Sequence, residues 1–360
     1  MNEAALSFSP IKTLVFDWGN TLMINFPQFD GKMADWPTVQ AVEHANAVLE
    51  QLSKKYQLVV ATNALESDHE DVKKALARVN LDSWISQIFT CRELGSCKPE
   101  IGFFEAIEAF THSNQHEIVL IGDDYFSDIM GAKQAGWSAI WLNPTHQTAP
   151  NQLPLQDVDV VSLALLPHVL EQGFYPDLNQ SLVFCSQNGF GAALYSHSSL
   201  VAKCAYQLSV WLRSAGIEIN PILAHRGGLL HDIAKMQSLN TNPQKDHGIE
   251  GAQVLYKLNQ PELAEITLRH MLNCLSEPER MPRSWEEKIV NYADKLAEGS
   301  SLVSIDERIL ALQQRYPDYR QSIETHFPAL RKIEAEITST LKATPEGLLE
   351  KLRGALNNET

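Results

Sequence analysis

Cysteine is sparse and unpaired in this chain. Cys91, Cys97, Cys185, Cys204 and Cys274 form an odd, scattered set of five without CxxC spacing. That excludes a disulfide-stapled scaffold and a zinc ribbon, and points to free thiols in a reducing compartment, the cytoplasm. Positive charge is also short: 29 Lys and Arg stand against 44 Asp and Glu, a formal net charge of −15. Binding a phosphate backbone needs clustered cations, so a general nucleic-acid surface is excluded. A small anionic substrate stays compatible if a metal ion supplies the local positive charge. No apolar run reaches the roughly 20 residues that a membrane helix needs. The opening MNEAALSFSPIKTLVFDWGN lacks a basic stretch followed by an apolar core, so no leader is expected there. Internal repeats and low-complexity tracts are absent from the sequence as well.

What is present divides into two grammars, as 360 residues lead one to expect. Over residues 1–173, short β-branched runs (TLVFDW, QLVVATNA, IFT, EIVLIGDD, SAIWLN, DVDVV) alternate with helical stretches. These stretches include residues 38–55, a segment ending near Val79, IGFFEAIEAF, DIMGAKQAG and the run to Gly173. The alternation predicts an α/β doubly wound parallel sheet, whose sites lie at the carboxyl ends of the strands. NPTHQTAPNQLP reads as a Pro/Asn-rich loop within it. From about Tyr175 amphipathic helices follow one another, predicting an all-α domain over 174–300. Helices over 301–360 carry no chemical constellation, and are expected to pack on that domain or on a second copy of the chain.

The helical half carries His197, the adjacent His231-Asp232, His247, His270 and Asp294. Each falls at helical spacing from apolar neighbours, as His197 does from Val201, Ala205 and Leu208. A single core histidine is readily satisfied by a hydrogen bond. Six titratable groups on successive inward faces are not, and buried charge needs a partner or a cation. Neutral imidazoles with carboxylates suit first-row transition metals. His225, six residues before the pair, reads as structural.

In the first half, Asp17, Thr62, Lys98, Asp123, Asp124 and Asp128 all fall at the strand ends of the expected sheet, where they would converge. Phosphoryl transfer uses such a set. A carboxylate attacks phosphorus, a hydroxyl and a lysine hold phosphoryl oxygens, and clustered carboxylates hold Mg²⁺.

At these residues the first half resembles the haloacid dehalogenase superfamily of phosphatases, over roughly residues 11–173. The resemblance implies Asp17 as nucleophile, Lys98 as a catalytic phosphate binder, and Thr62 with Asn63 as further phosphate binders. It implies Mg²⁺ held by Asp17, the Gly19 carbonyl and Asp123, supported by Asp128; Asp124 either replaces Asp123 or faces solvent. The intervals between motifs are too short for a lid domain. One position departs: the family's second aspartate, a general acid worth about 10²–10⁴-fold, is replaced by Gly19. That leaves a phosphatase restricted to good leaving groups, one that borrows an acid, or a binding module that controls the other half.

The order His, His-Asp, His, His, Asp, with LLHDIAK, resembles the HD superfamily of metal-dependent phosphohydrolases over about residues 190–300. Six protein ligands exceed what one catalytic metal needs, and Asp232 has two oxygens to bridge two ions. The expectation is a dinuclear centre of Fe, Mn, Co, Ni or Zn that hydrolyses a nucleotide or another small phosphate ester or anhydride, with Asp232 catalytic. Lys235, one turn beyond the pair, is placed to hold a phosphate oxygen or to face solvent. The LLHDIAK stretch is most similar to bacterial HD hydrolases of diadenosine tetraphosphate, although Met271 stands where those tend to have threonine. A few HD proteins with this ligand set are diiron oxygenases, and the ligands alone do not separate the two chemistries.

Overall fold

β-Branched runs that are apolar on both faces can be buried only between two layers of helix. The strands of the first half are of this kind and are buried almost throughout. The computed structural model describes residues 10–241 and 246–357; most of the opening stretch judged for a leader lies outside them. The chain divides into two compact units, residues 1–145 with 155–174, and residues 146–154 with 175–360.

In the first unit, β1 (Thr13–Phe16), β2 (Gln57–Thr62), β3 (Gln87–Thr90), β4 (Ile118–Gly122), β5 (Ser138–Leu142) and β6 (Val158–Val160) form one six-stranded sheet, its order β3-β2-β1-β4-β5-β6. Every pairing in it is parallel. The chain moves outward from β1 to β2 and β3, then returns to the other side of β1 as β4. The topological switch point thus lies between β1 and β4, where a doubly wound sheet opens a crevice. The helices are α1 (Ala45–Ser53), α2 (His69–Ala77), α3 (Cys91–Leu94), α4 (Ile101–Thr111), α5 (Gly131–Gln134) and α6 (Leu166–Gln172).

Three expectations are corrected here. The helix expected from residue 38 starts only at Ala45: Ile24 and Val42 exchange backbone bonds with Gln40 and Leu22, and His44 takes a left-handed φ of 69°. The helix expected in DIMGAKQAG opens with a π-helical turn, Tyr125–Met130. Cys91 and Cys97 are bonded, with Cα atoms 4.6 Å apart, so only Cys185, Cys204 and Cys274 are free thiols.

The second unit contains α7 (Leu178–Gln187), α8 (Ala192–Ser214), α9 (Pro221–Leu230), α10 (Lys235–Thr241), α11 (His247–Lys257), α12 (Pro261–Leu268) and α13 (Trp285–Lys295). The two-residue strands β7 (Ala297–Glu298) and β8 (Ser301–Leu302) form a small hairpin before α14 (Ile305–Arg315), α15 (Arg320–Thr340) and α16 (Pro345–Asn357). These last helices pack on the unit itself, α15 against α13 and α16 against α8. Part of the Pro/Asn-rich loop joins it too: Ala149 N–H donates to the Tyr206 hydroxyl and Gln152 to the Ala355 carbonyl. No described helix is long and apolar enough to cross a membrane.

α8 and α9 form the spine of this unit, and Gly228 lets them meet. A Cβ there would lie 2.8 Å from Ala202 Cα and 2.9 Å from Ala202 N, a clash with backbone that no rotamer relieves. Gly228→Ala should therefore destabilise the protein by about 1–3 kcal/mol, the usual range for overpacking. Denaturant unfolding measures this; an unchanged midpoint would show that the helices are not held at this distance.

Candidate functional sites

Because parallel strands end together, β1, β2 and β4 deliver Asp17, Thr62 and Asp123 to one edge of the sheet. Lys98 enters from the loop before α4 and is 3% exposed. Its ammonium donates to Asp17 Oδ1 (2.7 Å), Asp128 Oδ1 (2.6 Å) and the Ala61 carbonyl (2.8 Å), which uses all three donors. Burial alone would lower the Lys98 pKa, but Asp128 and Asp17 more than reverse this, so it stays charged. Thr62 Oγ1 accepts from Ala64 N–H, leaving its own O–H to donate.

Asn63, expected to bind phosphate, has its side chain engaged elsewhere. Its Oδ1 accepts from Lys98 N–H (2.8 Å) and its Nδ2 donates to the Lys98 carbonyl (2.7 Å), so it fixes the lysine. Asp124 caps the π-helical turn, accepting from Ser127 N–H at 2.6 Å, whereas Asp123 joins Asp17 and Asp128 with oxygens within 4.8 Å of one another. Asp123 is therefore the acidic residue of this pair that faces the site. It accepts from the Thr21 hydroxyl (3.2 Å), a contact with no signal in the sequence beyond proximity to Asp17.

Two carboxylates, Asp17 and Asp128, share Lys98, and Asp123 adjoins them. Burial and the neighbouring Asp17 push the Asp123 carboxyl up to about 6, and burial also raises Asp128 against the pull of Lys98. The cluster is short of positive charge, as a site for a hard divalent cation such as Mg²⁺ should be. The cleft in front has a volume of about 460 Å³ and is lined by Trp18, Gly19, Asn25 and Trp36 among others. Gly19 is not simply open: a Cβ there would fall 2.4 Å from Asn25 Nδ2, so a second aspartate would require the Asn25 amide to move aside.

In the second unit the cluster is built at helix ends. His197 sits in the second turn of α8, His231-Asp232 directly follow α9, His247 opens α11, His270 follows α12, and Asp294 lies in the last turn of α13. Helix ends leave carbonyls unpaired, and two histidines use them identically. His231 Nδ1 donates to the Gly228 carbonyl (2.7 Å), and His270 Nδ1 to the Thr267 carbonyl (2.6 Å), each three residues back. His197 Nδ1 reaches the Gly299 carbonyl at 3.3 Å. A carbonyl only accepts, so His231 and His270 carry the proton on Nδ1 and turn Nε2 to the cluster, the arrangement of a ligating imidazole, whereas the His197 ring has an acceptor at each nitrogen, the Gly299 carbonyl and Asp294 Oδ1.

The Nε2 atoms and carboxylates then meet. Asp232 Oδ1 lies 2.9 Å from His247 Nε2 and 3.6 Å from His270 Nε2, and its Oδ2 lies 3.4 Å from His231 Nε2. Asp294 Oδ1 lies 3.1 Å from His197 Nε2 and 3.8 Å from His231 Nε2. Two ligand groups result, His197–His231–Asp232 and Asp232–His247–His270, and Asp232 belongs to both. His231 Nε2 is fully buried and makes no hydrogen bond; a metal ion is the partner that its chemistry fits.

The electrostatics agree. Burial would raise Asp232 and Asp294, yet their polar neighbours hold both well below the usual carboxylate range: first the His231 ring, then Lys235, for Asp232, and first Lys295 for Asp294. Burial pushes His270 down to about 4, so that ring is neutral. Asn291 and Lys295 of α13 both donate to the His270 carbonyl, fixing the turn that carries it. Sequence reasoning missed both residues. Lys235 pairs with Asp232 Oδ2 at 2.5 Å rather than standing in solvent. His225 accepts from Arg226 at 2.7 Å, a structural contact of its own.

Comparison with known proteins settles the membership. The haloacid dehalogenase-like hydrolase family matches residues 13–142, and the HD domain family matches residues 194–299. The chain joins a haloacid dehalogenase-like (HAD-like) hydrolase to an HD domain. It is 32% identical over 151 residues to an uncharacterized protein of Methanocaldococcus jannaschii, a match spanning 39% of this chain and 84% of that one. It is 30% identical over 109 residues to the pyrimidine 5′-nucleotidase PynA of Streptococcus pneumoniae, covering 30% of this chain and 45% of that protein. A solved structure of an uncharacterized protein from Listeria monocytogenes serotype 4b aligns at 25% identity over 45% of this chain and all of that one, with a TM-score of 0.41.

Two outcomes follow from the HAD-like site. Binding Mg²⁺ must displace the proton that Asp123 holds below a pKa of about 6, so affinity should be full above that pH and fall by up to about tenfold per unit below it. Titration of Mg²⁺ affinity between pH 8 and 5 tests the sign. Gly19→Asp alone should add little alkyl-phosphate turnover because Asn25 stands in the way. With Asn25→Ala added, turnover of alkyl relative to aryl phosphates should rise within the general-acid range of about 10²–10⁴. Equal rates on both substrate types in the unmodified protein would show that no acid is lacking.

Proposed function

We propose that this hydrolase carries two separate phosphohydrolase centres, an aspartate-nucleophile phosphatase within residues 1–173 and a dinuclear HD site within 174–300, with 301–360 as a helical extension. The observation that carries the second centre is the position of Asp232 in both ligand groups, with a buried His231 Nε2 that no protein atom satisfies.

At the HAD-like centre, Asp17 would attack phosphorus to form an acyl phosphate as the bond to the leaving-group oxygen breaks. Thr62 would hold a phosphoryl oxygen, and Lys98 would exchange one of its three contacts for another. Lys98 holds Asp17 by its 2.7 Å contact. Asp17, Asp123 and the Gly19 carbonyl would hold Mg²⁺, and Asp128 anchors Lys98 beside it. At the HD centre, His197, His231, Asp232, His247, His270 and Asp294 would hold two ions among Fe, Mn, Co, Ni and Zn. Such a pair supplies Lewis-acid charge and lowers the pKa of a water. Asp232 orients the site between its two ligand groups, and Lys235 is free to transfer its ammonium from Asp232 to a phosphate oxygen.

The substrate class is a nucleotide or another small phosphate ester or anhydride, with dinucleoside polyphosphates included. The nucleotidase activity named for PynA supports this for the HAD-like half, and a cytoplasmic setting belongs with it. Asn25 over Gly19 favours a second reading of that half alone, in which it binds a phosphorylated ligand without turnover and regulates the HD domain.

Metal analysis after reconstitution should find two transition-metal ions per chain. Asp232→Ala should lose both and His270→Ala mainly one; a single ion in the unmodified protein would remove the dinuclear reading. Asp17→Asn should abolish Mg²⁺-dependent hydrolysis of aryl phosphates while leaving the Asp232-dependent activity. Absence of any Asp17-dependent turnover would establish the regulatory reading instead.

A further inference from the structure

Beside the HD cluster lies a cavity of about 480 Å³, and its walls come from two sources. Leu194, His197, Lys235 and Leu239 belong to the span that matches the HD family, but Arg308 and Arg315 belong to α14, beyond residue 299 where that match ends. The last helices thus do more than cover the core.

The cavity has a cationic wall and an apolar wall. Lys235, Arg308 and Arg315 give three positive charges against Glu298, in a chain whose formal net charge is −15. Arg308 is 8% exposed, and its guanidinium spans the boundary with the metal-ligand cluster. Its Nη1 donates to Glu298, its Nη2 lies 4.0 Å from Asp294 Oδ1, and its Nε is buried without a hydrogen bond. Arg315 sits seven residues later on the same helix face, donates to the other Glu298 oxygen, and has a side chain 48% exposed. Glu298 therefore holds the two guanidinium groups apart at fixed positions. Leu194, Met236 and Leu239 line the same cavity, and Leu239 is 52% exposed with no described cover.

A buried arginine with an unsatisfied N–H, next to a ligand cluster and in line with a second arginine, suits a chain of phosphoryl oxygens, which the planar guanidinium fork can meet in pairs. Such a chain would lie with one phosphoryl group at the cluster and the next against Arg308 and Arg315, its organic end on Leu194 and Leu239. We propose that α14 gives the HD site a second-phosphate subsite, which selects nucleoside di- and polyphosphates over monophosphates. The inference rests on the phosphohydrolase reading of the HD site, with Arg308 and Arg315 as specificity-determining residues.

The test measures binding as well as turnover, in the metal-loaded full-length Asp17→Asn protein so that the HAD-like nucleophile is absent. Calorimetry with AMP and with the methylene-bridged, non-hydrolysable analogue of ADP should show preference for the diphosphate. Arg315→Gln, at a half-exposed position, should weaken the diphosphate analogue by about tenfold, the loss of one charge-assisted hydrogen bond, and leave AMP within about twofold. Arg308→Lys, which keeps the charge but not the fork, should do the same if the fork spans two oxygens. Equal affinity for the two ligands, or equal loss on both in Arg315→Gln, would overturn the subsite. Retained preference without any Asp232-dependent hydrolysis of ADP would uphold the subsite and refute the phosphohydrolase reading instead.

Discussion

An ionised carboxylate inside an apolar helical unit is tolerable only when surrounded by opposite charge. Asp232, 1% exposed, is the centre of that constraint in the second unit. Removing one partner of a buried charge pair typically costs about 3–5 kcal/mol, so the neighbours cannot drift. His247, His270, His231 and Lys235 all address its two oxygens. Four helix ends must therefore converge on one carboxylate, which explains why α9, α10, α11 and α12 stop or start where they do. The close passage of α8 over Gly228 follows, because the Gly228 carbonyl holds His231 in place.

The first unit meets the same electrostatic problem with a different device. There the cation is internal: Lys98 is sealed between Asp17, Asp128 and Ala61 and needs no movement to neutralise them. Parallel strands give this precision cheaply, since their ends are already level. Helix ends do not share a plane, and the second unit instead holds His197, His231 and His270 each by a hydrogen bond to a backbone carbonyl. The sheet site is left short of charge mainly at Asp123. The helical site is short at His231 Nε2, which is buried without a hydrogen bond.

Much of this was legible in the sequence because its signals are periodic or positional. Asp17, Thr62 and Asp123 follow apolar runs directly, so placing the strands places the residues. The HD pair and its partner histidines betray themselves as titratable groups among apolar neighbours. What was not legible depends on contacts between distant segments. The helix start at Ala45 is set by pairing of residues 40–42 with 22–24. Asn63 looks like a phosphate binder until its amide is seen clamped on Lys98, and Asn291, Lys295 and Thr21 are ordinary polar residues until folded beside their partners. The pairing of Cys91 with Cys97 depends on the turn after α3, which the six-residue spacing alone does not specify.

The C-terminal helices show most clearly how a periodic reading can miss chemistry. In α14, Arg308 falls on the inward face with Ile305 and Ile309, and helical spacing marks it only as an amphipathic residue whose stem packs. Its position matters because Glu298, in the hairpin just before, sits between it and Arg315. Without that carboxylate two guanidinium groups beside Lys235 would repel one another and turn to solvent. With it, the positive charge stays directed at the cavity while the pairs at Asp232 and Asp294 remain neutralised by Lys235 and Lys295. Lys295 and Lys235 thus neutralise the ligand carboxylates, Lys235 from a cavity wall that it shares with the two arginines. That arrangement would let a strongly acidic chain keep a site for the proposed anionic ligand.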